Sequence, residues 1–301
     1  MAGNAVHHGL QNFLIEIDGQ PAGRLFGMSG GGVHADVITT SVGSSFQAHK
    51  HIGQIKFQDM AVTCGTGMAQ SFYDWIGNSF GGSTKRKNGA IVALDYNAKP
   101  THRIEFQNAL IGSVEFPECD AGSKDAAHIT VHISPEMTRH LTDNLTQNTG
   151  VYTSGLPKGW HINDFRLTID GLENDCKYVS SIGAVRLGRK VMVGSVDEKV
   201  EGPEEFSDIV VTVPNNHGNG FYDWFHDFVE KGRSSSANEK KGVLQYLTPN
   251  SASPYFKLEL LGLGPYEMEG VKPKDPNTAM PLTFKLYCNG IKFSAGASAV
   301  M

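Results

Sequence analysis

Residues 27–31, Gly-Met-Ser-Gly-Gly, have the G-x-S-x-G spacing of a hydrolase nucleophile elbow, in which a strained turn between a strand and a helix lifts a serine hydroxyl. That chemistry needs a helix directly downstream. Residues 32–45 instead read GVHADVITTSVGSS, β-branched and glycine-rich with no helical stripe, so Ser29 is expected in a flexible loop rather than at a reacting carbonyl. The histidines raise the question of a metal. His7-His8 and His49-Lys50-His51 look like metal candidates, but adjacent residues of a strand face opposite ways and do not easily share one ion. His128 and His132 share a strand face with Thr130 but bring no third ligand. Asp74 and Asp223 each precede a tryptophan on the polar side of a helix, where support of a neighbouring loop is the expected role, since no partner that would raise a carboxyl pKa is visible. There is no phosphate-binding P-loop. The residues therefore lead to no catalytic site, no cofactor and no metal.

The two aspartates belong to a larger recurrence. SFYDWIG at 71–77 returns as GFYDWFH at 220–226, and Phe57, Asp59, Val62 and Thr63 precede the first copy at the spacing at which Phe206, Asp208, Val211 and Thr212 precede the second. Further upstream Phe13, Ile15, Ile17, Asp18 and Gly19 meet Phe165, Leu167, Ile169, Asp170 and Gly171. Downstream, Ile104, Phe106 and Glu115 meet Phe256, Leu258 and Glu267, and Ile129, Val131 and Ile133 meet Leu282, Phe284 and Leu286. The small changes of spacing fall between these segments, where insertions are tolerated. The sequence thus predicts two tandem modules at 10–135 and 162–295, an N-terminal extension 1–9, a Thr-, Asn-, Gly- and Pro-rich linker 136–161 with a short helical turn around Met137 to Leu145, and a C-terminal tail 296–301.

Each module reads as mainly β. Alternating apolar residues mark strands at Phe13–Ile17, Phe57–Cys64, Ala90–Tyr96, Arg103–Leu110 and His128–Ser134, with counterparts in the second module. One amphipathic helix interrupts them: Met68, Phe72, Trp75 and Ile76 share a stripe, as do Phe221, Trp224, Phe225 and Phe228, and these aromatics are expected in the core rather than against a ligand. Between the first two strands of each module lies more chain than a tight turn needs. The first such stretch includes Gly27, Gly30, Gly31, Gly32, Val33 and Ile38; the second includes Gly183, Val185, Leu187, Val191 and Val193 and alternates like an extended ribbon. A ribbon that leaves its own module must find backbone partners elsewhere, and a subunit contact is the expected use.

Composition narrows the function classes. A net charge of -5 gives no broad basic surface for nucleic-acid binding as the main task. The four cysteines are widely separated with no CxxC spacing and the N-terminus has no apolar leader, which suits a reducing cytoplasm. No stretch approaches the ~18 apolar residues of a membrane span, so no membrane insertion is expected.

The stretch HKHIGQIKFQDMAVTCGTGMAQSFYDWI, followed by KRKNGAIVALDYNAKPTHRIEFQNALIGSVEF and the strand HITVHI, resembles the tail tube protein family of contractile-tailed phages and related injection systems. The resemblance rests on Lys50 and Gly53 before the strand Phe57–Cys64, the helix bearing Phe72–Trp75, and the segments Ile91–Tyr96, Arg103–Leu110 and Ile129–Ile133; it is fainter over 162–295. It implies a split β-barrel module with one flanking helix, whose copies join sheets side by side to form a channel wall while a long loop reaches the next ring. It further implies a structural protein of a virion tail or injection particle, either the tube body or an initiator, terminator or baseplate hub ring. The partners it implies are other copies of itself, sheath and baseplate proteins, and DNA or effector proteins passing through the lumen. With two modules per chain the expected ring is a trimer with six modules. A two-domain ligand-binding protein or a hydrolase is the alternative from another class.

Overall fold

The computed structural model describes residues 13–41, 48–82, 85–95, 97, 99–143, 145, 159–194, 198–249, 253–270 and 280–300. His7, His8, Tyr96, most of the expected linker and the segment before Phe13 lie outside these. The fold is mostly β, as expected.

The first half contains β1 (Phe13–Ile17), β2 (Gln20–Leu25), β3 (Gly27–Gly30), β4 (Val33–Ser41), β5 (Ala48–Phe57), β6 (Met60–Cys64), α1 (Gln70–Ser79), β7 (Lys87–Leu94), β8 (Pro100–Phe116), β9 (Cys119–Asp120), β10 (Ile129–Ser134) and β11 (Met137–Leu141). The second contains β12 (Phe165–Ile169), β13 (Ser181–Ile182), β14 (Val185–Val193), β15 (Lys199–Phe206), β16 (Ile209–Pro214), α2 (Asn219–Phe225), β17 (Lys240–Leu247), β18 (Pro254–Gly270) and β19 (Pro281–Ala295). α2 runs directly into a π-helical turn, His226–Glu230. That turn explains why Phe221, Trp224 and Phe228 are buried while Phe225 is only half-buried: the added residue per turn rotates the stripe.

The strand order is β2-β1-β7-β8-β10-β6-β3 in the first half and β12-β17-β18-β19-β16-β13-β9 in the second, and neither path closes on itself. From β1 to β3 the first order matches the second from β12 to β13, element for element, and β9 of the first half then extends the second. The registers agree as well: Phe13, Ile15 and Ile17 face Ala93, Ile91 and Gly89, and Phe165, Leu167 and Ile169 face Tyr246, Leu244 and Gly242. Phe106 then lies opposite Gly89 and Leu260 opposite Gly242, so Phe106 corresponds to Leu260, two residues beyond the sequence-based match to Leu258. A shift of two keeps each side chain on the same face, which is why apolar pattern alone does not detect it.

Both long strands carry a left-handed residue at the corresponding point, Asn108 at φ 53° and Gly262 at φ 64°. Such a bulge bends a strand and lets it change partners. Upstream of Asn108, β8 pairs with β7 and β11; downstream it pairs with β10. Within the stretch expected to hold a helical turn, Met137 to Leu145, residues Met137–Leu141 instead form β11, antiparallel to Gln107–Arg103. In the second half one continuous strand, β19, does the work of β10 and β11 together; in the first, Pro135 lacks the N–H needed to carry the ladder through.

Most buried apolar side chains form one large cluster running through both halves, from Ile15 to Ala299, and Leu14, Val92 and Leu94 form a small second one. The C-terminal residues are part of it: Ala299 is buried, its carbonyl accepts from Gly67 N–H at 2.6 Å, and Val300 bridges to Met68.

Candidate assembly surfaces

The residues with chemical potential sit apart. Ser29 is exposed on β3, opposite Ala61 of β6, in an extended strand followed by another strand. His128 packs on Phe26 with ring centroids 4.2 Å apart, its Nδ1 buried without a partner, and burial lowers its pKa. His132 lies 3.6 Å from Glu115. His49 and His51 are exposed on β5. Asp74 accepts a hydrogen bond from Gln70 one helical turn away, 2.7 Å. Asp223 lines an open cleft of about 710 Å³ beside Trp224, Phe228 and Lys240. Among the described residues no three His, Cys, Asp or Glu side chains converge as metal ligands. Burial pushes Cys64, Cys119 and Cys176 up to about 12, so these thiols stay protonated and unreactive at neutral pH.

The two helices have different surroundings. Phe72, Trp75 and Ile76 of α1 are buried, and Trp75 stacks on Phe106 while its indole N–H donates to Lys85 O at 2.9 Å. Tyr73, whose hydroxyl donates to Gly65 O, enters an aromatic cluster supplied by the other half: Phe256 at 5.4 Å and Phe293 at 6.3 Å, continued by Phe116, Tyr246 and Trp160. The corresponding Tyr222 of α2 is 44% exposed against 1% for Tyr73. Phe221 stacks on Phe284, and Trp224 is buried with Lys240 Nζ over its ring, but its indole N–H has no partner among the described residues.

The two ribbons also diverge. Gly27 and Gly30 belong to β3, paired with β6; a Cβ on Gly30, at φ 82°, would stand 2.1 Å from Asp59 O. Gly31 and Gly32 lead into the β4–β5 hairpin, which forms a two-stranded sheet of its own and leaves Val33, Val37, Ile38, Ile52 and Ile55 exposed. The second ribbon finds its backbone partner inside the chain. Gly183 N–H bonds Val210 O, and Val185, Arg186, Leu187 and Gly188 of β14 pair with Phe116, Glu115, Val114 and Ser113 of β8 in the first half. Val185 and Leu187 are buried there; Val191 and Val193 continue the hairpin opposite Glu201 and Lys199.

A polar lock that the sequence pattern does not single out holds this junction. Arg189, buried on β14, bonds Glu201 at 2.7 Å, Glu204 at 3.1 Å and the carbonyl of Ser79 at the end of α1, with Phe80 beneath its guanidinium. Glu204 also accepts from Gly81 N–H, and Lys199 reaches Asp59 at 3.1 Å. The one available signal was charge alternating with apolar residues on two adjacent ribbons, VRLGRKVMV and KVEGPEEF.

Residues 11–138 match the family described as T4-like virus tail tube protein gp19. No curated protein matches the chain. Similar solved structures include a chain of the PVC extracellular contractile injection system sheath-tube complex in the extended state (19% identity, TM-score 0.39, covering 47% of this chain and 99% of that one). Others are the anti-feeding prophage tube-terminating cap (18%, 0.39, 47% and 96%) and Hcp1 from Flavobacterium johnsoniae (13%, 0.28, 42% and 93%).

Proposed function

We propose that the chain is a structural tube protein with two tandem copies of one module, at 10–135 and 162–295, that assembles into stacked rings forming the channel of a phage tail or contractile injection apparatus. The observation that carries this is the tail tube match over residues 11–138 together with the return of the same strand order, β12-β17-β18-β19-β16-β13, in the second half. If each half fills one of six wall positions, three chains close a pseudo-sixfold ring. Beyond its root the β4–β5 hairpin, with Ile38 44% exposed, serves stacking on the next ring. Sheath and baseplate proteins are the outer partners, and DNA or effector protein passes through the lumen. The working form is part of a virion tail or injection particle assembled in the cytoplasm; among the described residues no helix is long and apolar enough to cross a membrane. Negative-stain microscopy of the purified protein tests the reading: rings or tubes are expected. A uniform monomer at high concentration, or turnover that depends on a particular residue such as Ser29, overturns it.

A further inference from the structure

The junction between the two halves is a template for one that the chain leaves open. Leu187 of β14 faces Phe206 as Val33 of β4 faces Phe57, and the hairpins share a bulge at the same place, between Arg189 and Val191 and between Ala35 and Val37. Gly31, Gly32, Val33 and His34 are therefore the counterparts of the four β14 residues that add to β8. The receiving edge recurs too. Val114 of β8 lies opposite Val131 of β10, and Met268 of β18 lies opposite Phe284 of β19, so Ser113–Phe116 corresponds to Glu267–Gly270. β17 covers β18 only as far as Leu263, and among the described residues no strand adds to the other edge of Glu267–Gly270.

We propose that a second copy of this chain closes that edge, its Gly32–His34 pairing antiparallel with Glu267–Glu269 so that Val33 lies opposite Met268 and His34 opposite Glu267. This rests on the tube-wall function proposed for the chain. The chemistry of the joint differs from that of its template. The positions of Arg189, Glu204 and Glu201 are taken in the first hairpin by Ala35, Ile55 and Ile52, the last two 56% and 76% exposed. What they would meet has changed in step: the end of α1, Ser79–Phe80, corresponds to Phe228–Val229, and Val229 is an exposed apolar side chain. The joint inside the chain is locked by charge; the joint between chains is locked by aliphatic contact. One polar pair is kept at the rim, since Lys50 and Asp208 stand where Lys199 and Asp59 meet. Neither hairpin can replace the other without burying Arg189 against Val229 or leaving Ile52 and Ile55 on the polar end of α1, so the two kinds of joint alternate around the wall.

Three double variants of the full chain test this. Val33→Cys with Met268→Cys, oxidised mildly, is expected to give covalent multimers on non-reducing gels, whereas Val33→Cys with Ser113→Cys, aimed at the edge already covered by β14, gives none. Ile52→Glu with Ile55→Glu is expected to lower self-association at least tenfold in sedimentation velocity while circular dichroism and the melting curve stay those of the parent, and assembly of the parent is expected to persist in high salt. Parent rings or tubes without Val33–Met268 crosslinking, or undiminished assembly of the Ile52/Ile55 variant, overturn the joint and leave the tube reading standing. A parent that stays monomeric overturns both.

Discussion

Single residues carry the difference between the halves. Trp75 is buried, stacked and hydrogen-bonded, so Trp75→Ala is expected to cost about 3 to 5 kcal/mol in denaturant unfolding. Trp224→Ala removes a ring whose N–H is unpaired, and a smaller loss is expected from the same measurement. Asn108 at φ 53° tolerates glycine, as its counterpart Gly262 shows, whereas Asn108→Val is expected to cost about 1 to 3 kcal/mol because a β-branched side chain is strained there. His128 adds a pH term. Burial holds its folded pKa below the ordinary value, so as pH falls through about 6.5 the unfolded chain takes up a proton that the folded chain resists, and stability declines. Melting curves between pH 7 and 5 should show that decline, flattened in His128→Phe. The aromatic stripes were legible in sequence because a helix repeats every 3.6 residues. Asn108 and His128 were not, since neither a backbone angle nor an orphaned ring nitrogen leaves a periodic trace.

Among the elements, the β4–β5 hairpin is the one that packing does not hold. It touches the body through backbone bonds at its root, Gly31 N–H to Asp59 O and Gln58 N–H to Gly32 O. Replacing residues 37–52 by a tight turn is therefore expected to leave the melting temperature of the body unchanged while abolishing rings and tubes in electron micrographs; a body that unfolds with the deletion would put the hairpin inside the core. Gly27–Gly30 must be kept, because β3 completes the sheet beside β6. The strands of the first half were legible from alternation, which reports one apolar face against one wet face. β11 was not. Its residues, MTRHL, bury mainly Thr138 through a hydroxyl bond to Gly31 O, and a strand held by backbone pairing and one threonine has no apolar alternation to read.

At the scale of the molecule, the ring is expected to contain three chains. Native mass spectrometry of isolated rings should give a trimer, and end-on averages should show six lobes in two alternating kinds; six chains, or six identical lobes, would rule this out. The matching strand orders of the two halves were foreshadowed in sequence by segments that recur in the same order. The exchange of strands between halves, β14 onto β8 and β9 onto β13, was not. Val185 and Leu187 alternate as they would on any half-buried strand, and nothing local names the distant partner.

That exchange has a kinetic consequence. A hairpin tethered to its receiving edge binds at an effective concentration of order millimolar, whatever the dilution of the protein. In the proposed ring, every second joint is then made as the chain folds, and only the remaining joints depend on collisions between molecules. Nucleating a closed ring takes fewer encounters than it would with separate modules, so the lag before growth should depend less steeply on protein concentration. On dilution, a tube of this kind should shed its wall in units of two modules and never one.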